Sequence, residues 1–307
     1  MSTEHSEIAA VTGVGGFTGR HITARLLEAG REVVNLTGHP ERETEFGVAV
    51  RSLPFSFEIP GDLARSLEGV STLFNTYWIR FERGGTTFEK TVANSLSLID
   101  AARAAGVRRI VHISITNPSP DSPLPYFRCK AAVEQAIRNS GLSHAILRPA
   151  VIFGDRGILI NNIAWFLRRL PVFAIPGSGE YRLQPVSVED VAELAIGSSA
   201  KSENMVVDAV GPEVFTFNEL VGLIARTLGS RTRILHIPST LALLSTRLMG
   251  LALRDVVLTR DEIDGLSANL LVSSNPPTCP TKLTDWLASN ADSVGREYLS
   301  ELKKHYR

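Results

Sequence analysis

The sequence predicts an α/β protein with a doubly wound parallel sheet, followed by a smaller, mostly helical C-terminal lobe. In the first half, short apolar runs alternate with amphipathic stretches, which is typical of repeated βαβ units. The amphipathic stretches are followed by glycines, where helices commonly end, at Gly30, Gly106 and Gly141. After Arg148 and Pro149 this alternation loosens, and prolines and glycines become frequent. The change in pattern indicates a second, less regular lobe.

The elements follow from these patterns in chain order. Apolar runs predict strands over residues 8–11, 32–36, 73–77, 110–114 and 145–147. Spacing of apolar residues predicts helices over residues 21–29, 88–105, 130–139, 187–196, 217–228 and 241–253. We expect a first domain over residues 1–155 and a smaller substrate-binding lobe over 156–307. Within residues 184–212, we expect Val186 and Val206–Val207 to return to the main sheet.

Composition narrows the classes of function. The 307 residues carry 32 Lys and Arg against 32 Asp and Glu, and the sequence pI is about 7.1. We therefore expect neither nucleic-acid binding nor attachment to anionic membranes. The two cysteines are 150 positions apart and no histidine cluster accompanies them, so we expect no metal site. The polar N-terminus lacks the order of a signal peptide, which makes a cytoplasmic location the expectation.

One long apolar stretch covers residues 241–258, interrupted by Arg247 and Arg254. It predicts either a core helix of the second lobe or a helix that binds a partner or a membrane surface. We expect core packing.

A glycine-rich loop follows the first predicted strand and opens the first helix. It reads Thr12, Gly13, Val14, Gly15, Gly16, Phe17, Thr18, Gly19. Gly13 permits a tight turn, Gly16 allows backbone amides to approach a pyrophosphate, and Gly19 lets the helix pack close to the sheet. The order of strand, loop and helix favours a dinucleotide site over a glycine-rich turn without a ligand.

The end of the second strand normally contacts the adenosine ribose of a dinucleotide. No acidic residue stands there to bind the 2′-hydroxyl of NAD. Thr37, His39 and Arg42 are suited to a 2′-phosphate, so we expect NADP, with NAD as the alternative. A solvated turn with Arg42 in water is the competing interpretation.

A tyrosine and a lysine stand one helical turn apart, at Tyr126 and Lys130, and Ser114 ends the preceding strand. The chain has only six lysines against 26 arginines, so this spacing is informative. A nearby ammonium favours the phenolate of a tyrosine and thereby makes it an acid or base near neutral pH. We expect Ser114 to hold a substrate oxygen while Tyr126 exchanges its proton. A packed tyrosine beside a solvated lysine is the alternative.

With these motifs, the chain resembles the short-chain dehydrogenase/reductase superfamily, in its extended and atypical branches that include NmrA-like and epimerase-like proteins. The resemblance implies a Rossmann fold, Tyr126 as the acid/base and Lys130 as a ligand of the nicotinamide ribose. It places Pro149 beside the nicotinamide, and either Ser56 or the displaced Glu58 where the family often has an adenine-binding aspartate. The Asp-Glu pair of the dehydratases is replaced by Thr116 and Asn117, so elimination of water is not expected. Members form dimers or monomers, and both states stay open.

Substrate contacts are expected from loops after the strands and from the second lobe. The candidate residues are Tyr77, Trp78, Asn161, Asn162 and Arg182. His112, inside an apolar strand, is expected to be a core histidine with its hydrogen bonds satisfied.

The predicted function is an NAD(P)-dependent oxidoreductase acting on a small carbonyl or alcohol, with an apolar or quinone-like compound as the candidate substrate. A sugar-nucleotide epimerase is the alternative enzyme. An NmrA-like redox sensor that binds the dinucleotide without turnover is the alternative outside enzymes.

Overall fold

The computed structural model describes residues 7–59 and 61–302. Its strands are β1 (Ile8–Thr12), β2 (Glu32–Thr37), β3 (Val50–Pro54), β4 (Val70–Asn75), β5 (Arg109–Ile113), β6 (Ser143–Pro149), β7 (Val151–Phe153), β8 (Val172–Pro176), β9 (Arg182–Leu183), β10 (Pro185–Ser187), β11 (Met205–Ala209), β12 (Phe215–Thr216) and β13 (Arg233–Ile237). Its helices are α1 (Phe17–Glu28), α2 (Asp62–Ser66), α3 (Phe88–Ala104), α4 (Pro125–Asn139), α5 (Ile158–Arg169), α6 (Val188–Ser199), α7 (Phe217–Thr227), α8 (Ser239–Leu253), α9 (Arg260–Ser267) and α10 (Leu283–Ser289).

The main sheet has the strand order β11-β6-β5-β4-β1-β2-β3. In this order, every neighbouring pair from β6 to β3 (β6-β5, β5-β4, β4-β1, β1-β2 and β2-β3) is parallel, as the alternating pattern predicts. The order reverses between β1 and β4, because β2 lies on one side of β1 and β4 on the other. Ligands of open α/β sheets bind outside the carboxyl ends of the strands at such a reversal. The doubly wound α/β fold class is confirmed.

Apolar runs form the strands because both faces of a parallel sheet are covered by helices. Every residue of β4 and β5 is buried. One side of the sheet contributes a core in which Leu73 and Ile110 pack with Leu98 of α3 and Ile137 of α4. This packing holds α3 and α4 against the sheet, beside the carboxyl ends of β4 and β5.

The chain divides into two compact units. The first consists of Met1–Pro149 and Val188–Asp208, and the second of Ala150–Ser187 and Ala209–Arg307. The first unit therefore ends at Pro149, several residues before the predicted boundary at residue 155. The chain returns to the first unit at α6. β11 joins the main sheet beside β6. Val186 does not, because β10 pairs with β7 in a separate two-stranded sheet. That expectation for Val186 is wrong.

The second unit has its own core, formed by α5, α7, α10 and short strand pairs. Thr216 caps α7 and Thr259 caps α9, each through a capping box with a glutamate three residues later. Parallel pairing joins β13 to β8, and antiparallel pairing joins β12 to β9.

Helix α8 departs from the expectation of core packing. Only Ala242 and Gly250 of this helix are buried. Four leucines are more than half exposed, at Leu241, Leu244, Leu248 and Leu251. Gly250 lies against the Asp255 carbonyl, so the small residues face the protein and the leucines face outward. Among the described residues, no helix combines the length and apolar character needed to cross a bilayer.

Candidate functional site

The glycine loop connects β1 to α1 as predicted. Gly13 adopts a φ of 70°, a conformation that glycine takes at little cost. A Cβ atom at Gly19 would clash with the Gly13 carbonyl oxygen, and one at Gly16 would lie 2.9 Å from it. The first turn of α1 has no side-chain cap and no acidic residue. The loop is therefore compact, and the positive end of the helix dipole is not neutralised by an acid.

Two side-chain contacts hold this loop in place. The Asn35 side chain on β2 accepts a hydrogen bond from the Val14 backbone N–H at 3.1 Å. Thr12 and Thr76 bond reciprocally: the Thr76 N–H donates to Thr12 Oγ1 at 2.7 Å, and the Thr76 hydroxyl donates to the Thr12 carbonyl at 2.5 Å. The second contact joins the ends of β1 and β4, where the strand order reverses.

The three residues expected to bind a 2′-phosphate lie at the end of β2 and in the turn that follows it. Thr37 Oγ1 accepts a hydrogen bond from the His39 N–H at 3.2 Å. Glu41 lies between His39 and Arg42, with its Oε1 atom 3.5 Å from His39 Nδ1 and 3.9 Å from Arg42 Nε. All three side chains of this small cluster are exposed. A carboxylate therefore lies near both of the side chains in this turn that are expected to bind a phosphate.

An aromatic cluster follows β3 and β4. The Phe55 ring lies 5.2 Å from the Tyr77 ring, and Phe57 lies 5.7 Å from it. The Tyr77 hydroxyl accepts a hydrogen bond from Asn94 at 2.9 Å. Ser56, between the two phenylalanines, accepts a bond from the Glu58 N–H at 3.4 Å. Tyr77, proposed for substrate, is thus part of an aromatic wall after the third and fourth strands.

Helix α4 carries Tyr126 in its first turn and Lys130 one turn later, because the helix begins at Pro125. Positions four apart share one face of a helix. The Tyr126 ring meets Trp78 edge to face, with centroids 5.9 Å apart, and Phe88 at 5.7 Å. The structure therefore brings Trp78 to Tyr126 and Lys130.

Lys130 is almost completely buried. Its Nζ atom donates to the Ile113 carbonyl at 2.8 Å and lies 4.3 Å from the centre of the Trp78 ring. Burial lowers the pKa of Lys130 to about 7, although the Glu134 carboxylate acts in the opposite direction. An ammonium has three N–H donors, so the bond to Ile113 leaves two further donors for a ligand.

Two side chains near Lys130 carry buried nitrogen atoms that make no hydrogen bond of standard geometry in the described part of the chain. The indole nitrogen of Trp78 has no hydrogen-bond partner in the described part of the chain. Neither ring nitrogen of His112 makes a bond of standard geometry there, although the Asn75 backbone lies close by. Burial and the Lys130 charge lower the pKa of His112 well below its ordinary value, which keeps the ring neutral. His112 is a core residue as expected, but its hydrogen bonds are not satisfied.

Ser114 contacts the buried side of α4. Its hydroxyl donates to Glu134 Oε1 at 2.6 Å. Arg148 holds the same carboxylate with two bonds, from Nε at 2.9 Å and Nη2 at 2.6 Å, and Arg138 adds a third at 3.1 Å. The bond to Glu134 raises the pKa of Arg148. The hydroxyl proton of Ser114 is thus directed to Glu134.

The remaining expected residues have structural contacts. Asn161 donates to the Glu297 carbonyl at 2.8 Å and accepts from the Gly295 N–H at 2.9 Å. Asn162 makes the equivalent pair of bonds to the Leu299 backbone. Both amides therefore hold the segment after α10 against α5 and are engaged there. Arg182 is exposed on β9. The carbonyl of Pro149, at the end of β6, accepts from the Thr116 N–H at 3.0 Å.

Comparison with known proteins indicates the class of ligand that this domain binds. Residues 13–164 match the family model described as NAD(P)H-binding. The chain carries an NAD(P)H-binding domain. The predicted relationship to NAD(P)-binding epimerase-like and reductase proteins is confirmed, and the match begins at Gly13 of the loop.

Curated relatives of the chain include reductases and subunits of a mitochondrial NADH dehydrogenase. It is 25% identical over 289 residues to the alpha subcomplex subunit 9 of mitochondrial NADH dehydrogenase from Arabidopsis thaliana, covering 87% of this chain and 71% of that protein. It is 29% identical over 231 residues to (4-alkanoyl-5-oxo-2,5-dihydrofuran-3-yl)methyl phosphate reductase from Streptomyces griseus, covering 73% and 74%.

Solved structures share the fold. Triphenylmethane reductase from Citrobacter sp. matches with a TM-score of 0.72 at 18% identity, covering 92% of this chain and 98% of that one. A nucleoside-diphosphate-sugar epimerase from Staphylococcus aureus matches with a TM-score of 0.71 at 16% identity, covering 91% and 99%. At these identities, the likeness supports the fold alone.

The glycine loop fits a pyrophosphate. A Cβ at Gly15 would meet no atom within 4 Å, so the backbone is open on that side, and the first turn of α1 provides N–H groups without a competing cap. Lys130 has spare donors for a ribose. These residues would hold the dinucleotide, whose nicotinamide accepts or donates hydride when bound.

The sequence reasoning missed Asn35, Thr76 and Glu134. A signal for Glu134 was available, because Tyr126, Lys130, Glu134 and Arg138 repeat every four residues along one face of α4. Asn35 and Thr76 gave no signal, because a single polar residue in or after a strand does not reveal its cross-strand partner.

Proposed function

We propose that the chain is an NAD(P)H-dependent reductase that transfers hydride to a small carbonyl or quinone-like compound. One observation carries this proposal. Tyr126 and Lys130 share a face of α4, and the Lys130 ammonium is buried between the Ile113 carbonyl and the Trp78 ring. A lysine one helical turn from a phenol, on the same face of the helix, suits proton transfer to a developing alkoxide.

Tyr126 and Lys130 have different roles in the proposed reduction. Tyr126 donates its proton to the substrate oxygen as hydride reaches the carbonyl carbon. Lys130 stabilises the phenolate that remains, and the surrounding burial strengthens that interaction because the local dielectric is low. Trp78 and Phe88 stack with centroids 6.2 Å apart and contact Tyr126 edge to face. This apolar wall favours an aromatic or otherwise apolar substrate.

For the cofactor we propose NADP, because the turn after β2 carries Arg42 and His39, whose side chains are suited to a 2′-phosphate. Glu41 is the opposing group, because its carboxylate lies near both side chains. The preference for NADP therefore depends on whether a 2′-phosphate displaces Glu41.

A second candidate is a dinucleotide-binding protein without turnover. It is favoured by the position of Ser114, whose hydroxyl is directed to Glu134. The relative from Arabidopsis thaliana is named as a subunit of an enzyme complex, which also agrees with this candidate. A sugar-nucleotide epimerase receives less support, because Asn161 and Asn162 are engaged with the backbone of residues 295–299.

The test compares wild type with Tyr126→Phe. Binding of NADPH and NADH is measured by fluorescence, and quinones, ketones and aldehydes are screened for oxidation of the reduced cofactor. We expect the variant to bind cofactor as wild type does and to lose turnover about 10²-fold or more. Tyr298→Phe, which removes a phenol that bonds Asp255 in the second unit, is the matched control and should keep turnover.

Other outcomes separate the candidates. Tight binding of a dinucleotide with no turnover of any compound would favour the second candidate. Full turnover in Tyr126→Phe would remove Tyr126 from the mechanism. Absence of binding to both dinucleotides would contradict the proposal as a whole.

A further inference from the structure

Helix α8 presents a continuous apolar face to solvent. The exposed fractions of Leu241, Leu244, Leu248 and Leu251 are 54%, 54%, 61% and 77%. Their spacing of three, four and three residues places them on one stripe of the helix. Monomeric proteins rarely expose contiguous apolar surface of this kind without a binding role.

The neighbouring strand extends this surface. Strand β13 precedes α8 and pairs with β8, which also contacts α8. Leu235 of β13 is 50% exposed and Val172 of β8 is 40% exposed. The second unit therefore exposes further apolar side chains on the two strands next to α8 in the chain or in contact with it.

The charge of this region is one-sided. Residues 231–259 contain four exposed arginines: Arg231, Arg233, Arg247 and Arg254. Their single carboxylate, Asp255, is buried and accepts bonds from the Tyr298 hydroxyl and from the backbone N–H groups of Glu301 and Leu302. Two of these arginines, Arg247 and Arg254, lie within α8 or directly after it, and no exposed acid occurs among residues 231–259. Exposed leucines with arginines on or next to the same helix match the chemistry of an anionic lipid surface.

A second copy of the chain suits this face less well. The stripe runs from Leu241 to Leu251, and Arg247 lies near its midpoint. An antiparallel two-fold pair of α8 helices would bring the two Arg247 guanidinium groups close together at a helix separation of about 8–10 Å. Because α8 contains no Asp or Glu, nothing on the paired helices would neutralise them.

We infer that α8 is an interfacial helix that docks the protein on anionic lipid bilayers, with its leucines in the acyl boundary and its arginines among the headgroups. This differs from the expectation, drawn from the neutral total charge, that the chain avoids membranes. The positive charge is local to residues 231–259, and a neutral total does not reveal it. The inference is independent of the proposed reductase activity.

The experiment is co-flotation of the purified full chain with phosphatidylcholine vesicles and with vesicles of phosphatidylcholine and phosphatidylglycerol. We expect binding to the anionic vesicles, weakening as salt rises. Leu244→Glu with Leu248→Glu should lower the partition coefficient about tenfold or more. Arg247→Gln with Arg254→Gln should weaken binding to anionic vesicles alone. Leu96→Glu, at a leucine of α3 that is 42% exposed, is the matched control and should bind as wild type does.

Each variant is checked by circular dichroism and by size-exclusion chromatography with light scattering. A fluorophore on Leu248→Cys gives a second reading without removing the stripe, and its emission should shift to the blue on anionic vesicles. The inference is overturned if wild type binds neither kind of vesicle and the emission of the fluorophore does not shift. It is also overturned if wild type is a dimer that the double glutamate variant dissociates, because a second copy then covers the face. Equal binding to both kinds of vesicle would refute the role of the arginines.

Discussion

The Ser114 hydroxyl donates to Glu134 at 2.6 Å, and Arg148 on β6 donates two further hydrogen bonds to the same carboxylate. This contact joins the end of β5 to α4 and β6. Ser114 is thereby a support of the helix that carries Tyr126 and Lys130.

Replacing Ser114 with alanine should therefore act mainly on stability. Glu134 keeps its arginines but loses a bond in a buried site, which costs about 1–3 kcal/mol of unfolding free energy. Urea denaturation measures the loss, and turnover in the assay for Tyr126 measures any catalytic effect. Ser114→Thr keeps the hydroxyl and is the control. Unchanged stability together with a large fall in kcat/KM would instead place Ser114 on the substrate.

Lys130 makes the stability of the protein depend on pH. Its folded-state pKa of about 7 lies below the ordinary value of 10.5, so between these values the unfolded state binds more protons. Stability should therefore rise with pH across this interval, and the contribution is lost as pH falls through about 7. Relative to Lys130→Met, which cannot titrate, wild type should gain about 2–3 kcal/mol between about pH 7.5 and about pH 9.5.

Denaturant melts of both proteins at the two pH values check this. Lys90→Met, at an exposed lysine in the first turn of α3, should track wild type. A constant difference between wild type and Lys130→Met would show that Lys130 titrates near its ordinary pKa.

Alanine at Gly19 should damage both the fold and dinucleotide binding. The added Cβ would clash with the Gly13 carbonyl oxygen, and its next neighbours are also backbone atoms of the loop, so the loop must move. We expect a loss of about 1–3 kcal/mol in stability and at least about a tenfold loss in affinity for NADPH. Thermal denaturation and fluorescence titration measure the two effects.

Gly15→Ala is the matched substitution in the same loop. Its Cβ would meet no protein atom within 4 Å, so stability should be unchanged. If Gly15→Ala weakens NADPH while leaving stability intact, the pyrophosphate approaches the loop on that side. If Gly19→Ala is as stable and binds as well as wild type, the packing argument for the loop fails.

The turn after β2 should control cofactor preference. Glu41→Gln frees His39 and Arg42 from a carboxylate and should tighten NADPH while leaving NADH unchanged. Arg42→Ala should weaken NADPH in the same assay. Glu45→Gln, at a carboxylate that pairs with Arg20, controls for the general loss of a negative charge. Parallel changes for NADH and NADPH would remove the argument for a 2′-phosphate.

The sequence alone determined five parallel strands of the main sheet, the glycine loop and the spacing of Tyr126 and Lys130, but it did not predict the edge strand β3. These features are local: apolar runs bounded by glycine, a glycine loop between strand and helix, and two side chains four residues apart on one helix. Each depends on backbone geometry that neighbouring residues dictate. For the same reason, the helix over residues 88–105 was predicted to within one residue of α3.

Only the tertiary structure decided which side chains meet across the fold. The contact of buried Lys130 with Trp78, the bond from Ser114 to Glu134 and the bonds from Asn161 and Asn162 join residues from 20 to more than 100 positions apart, which no local pattern encodes. The same holds for α8, where the apolar pattern indicates a helix with a leucine face but not the side on which the protein lies. Small residues on the opposite face allow close packing there, and this leaves the leucines in solvent.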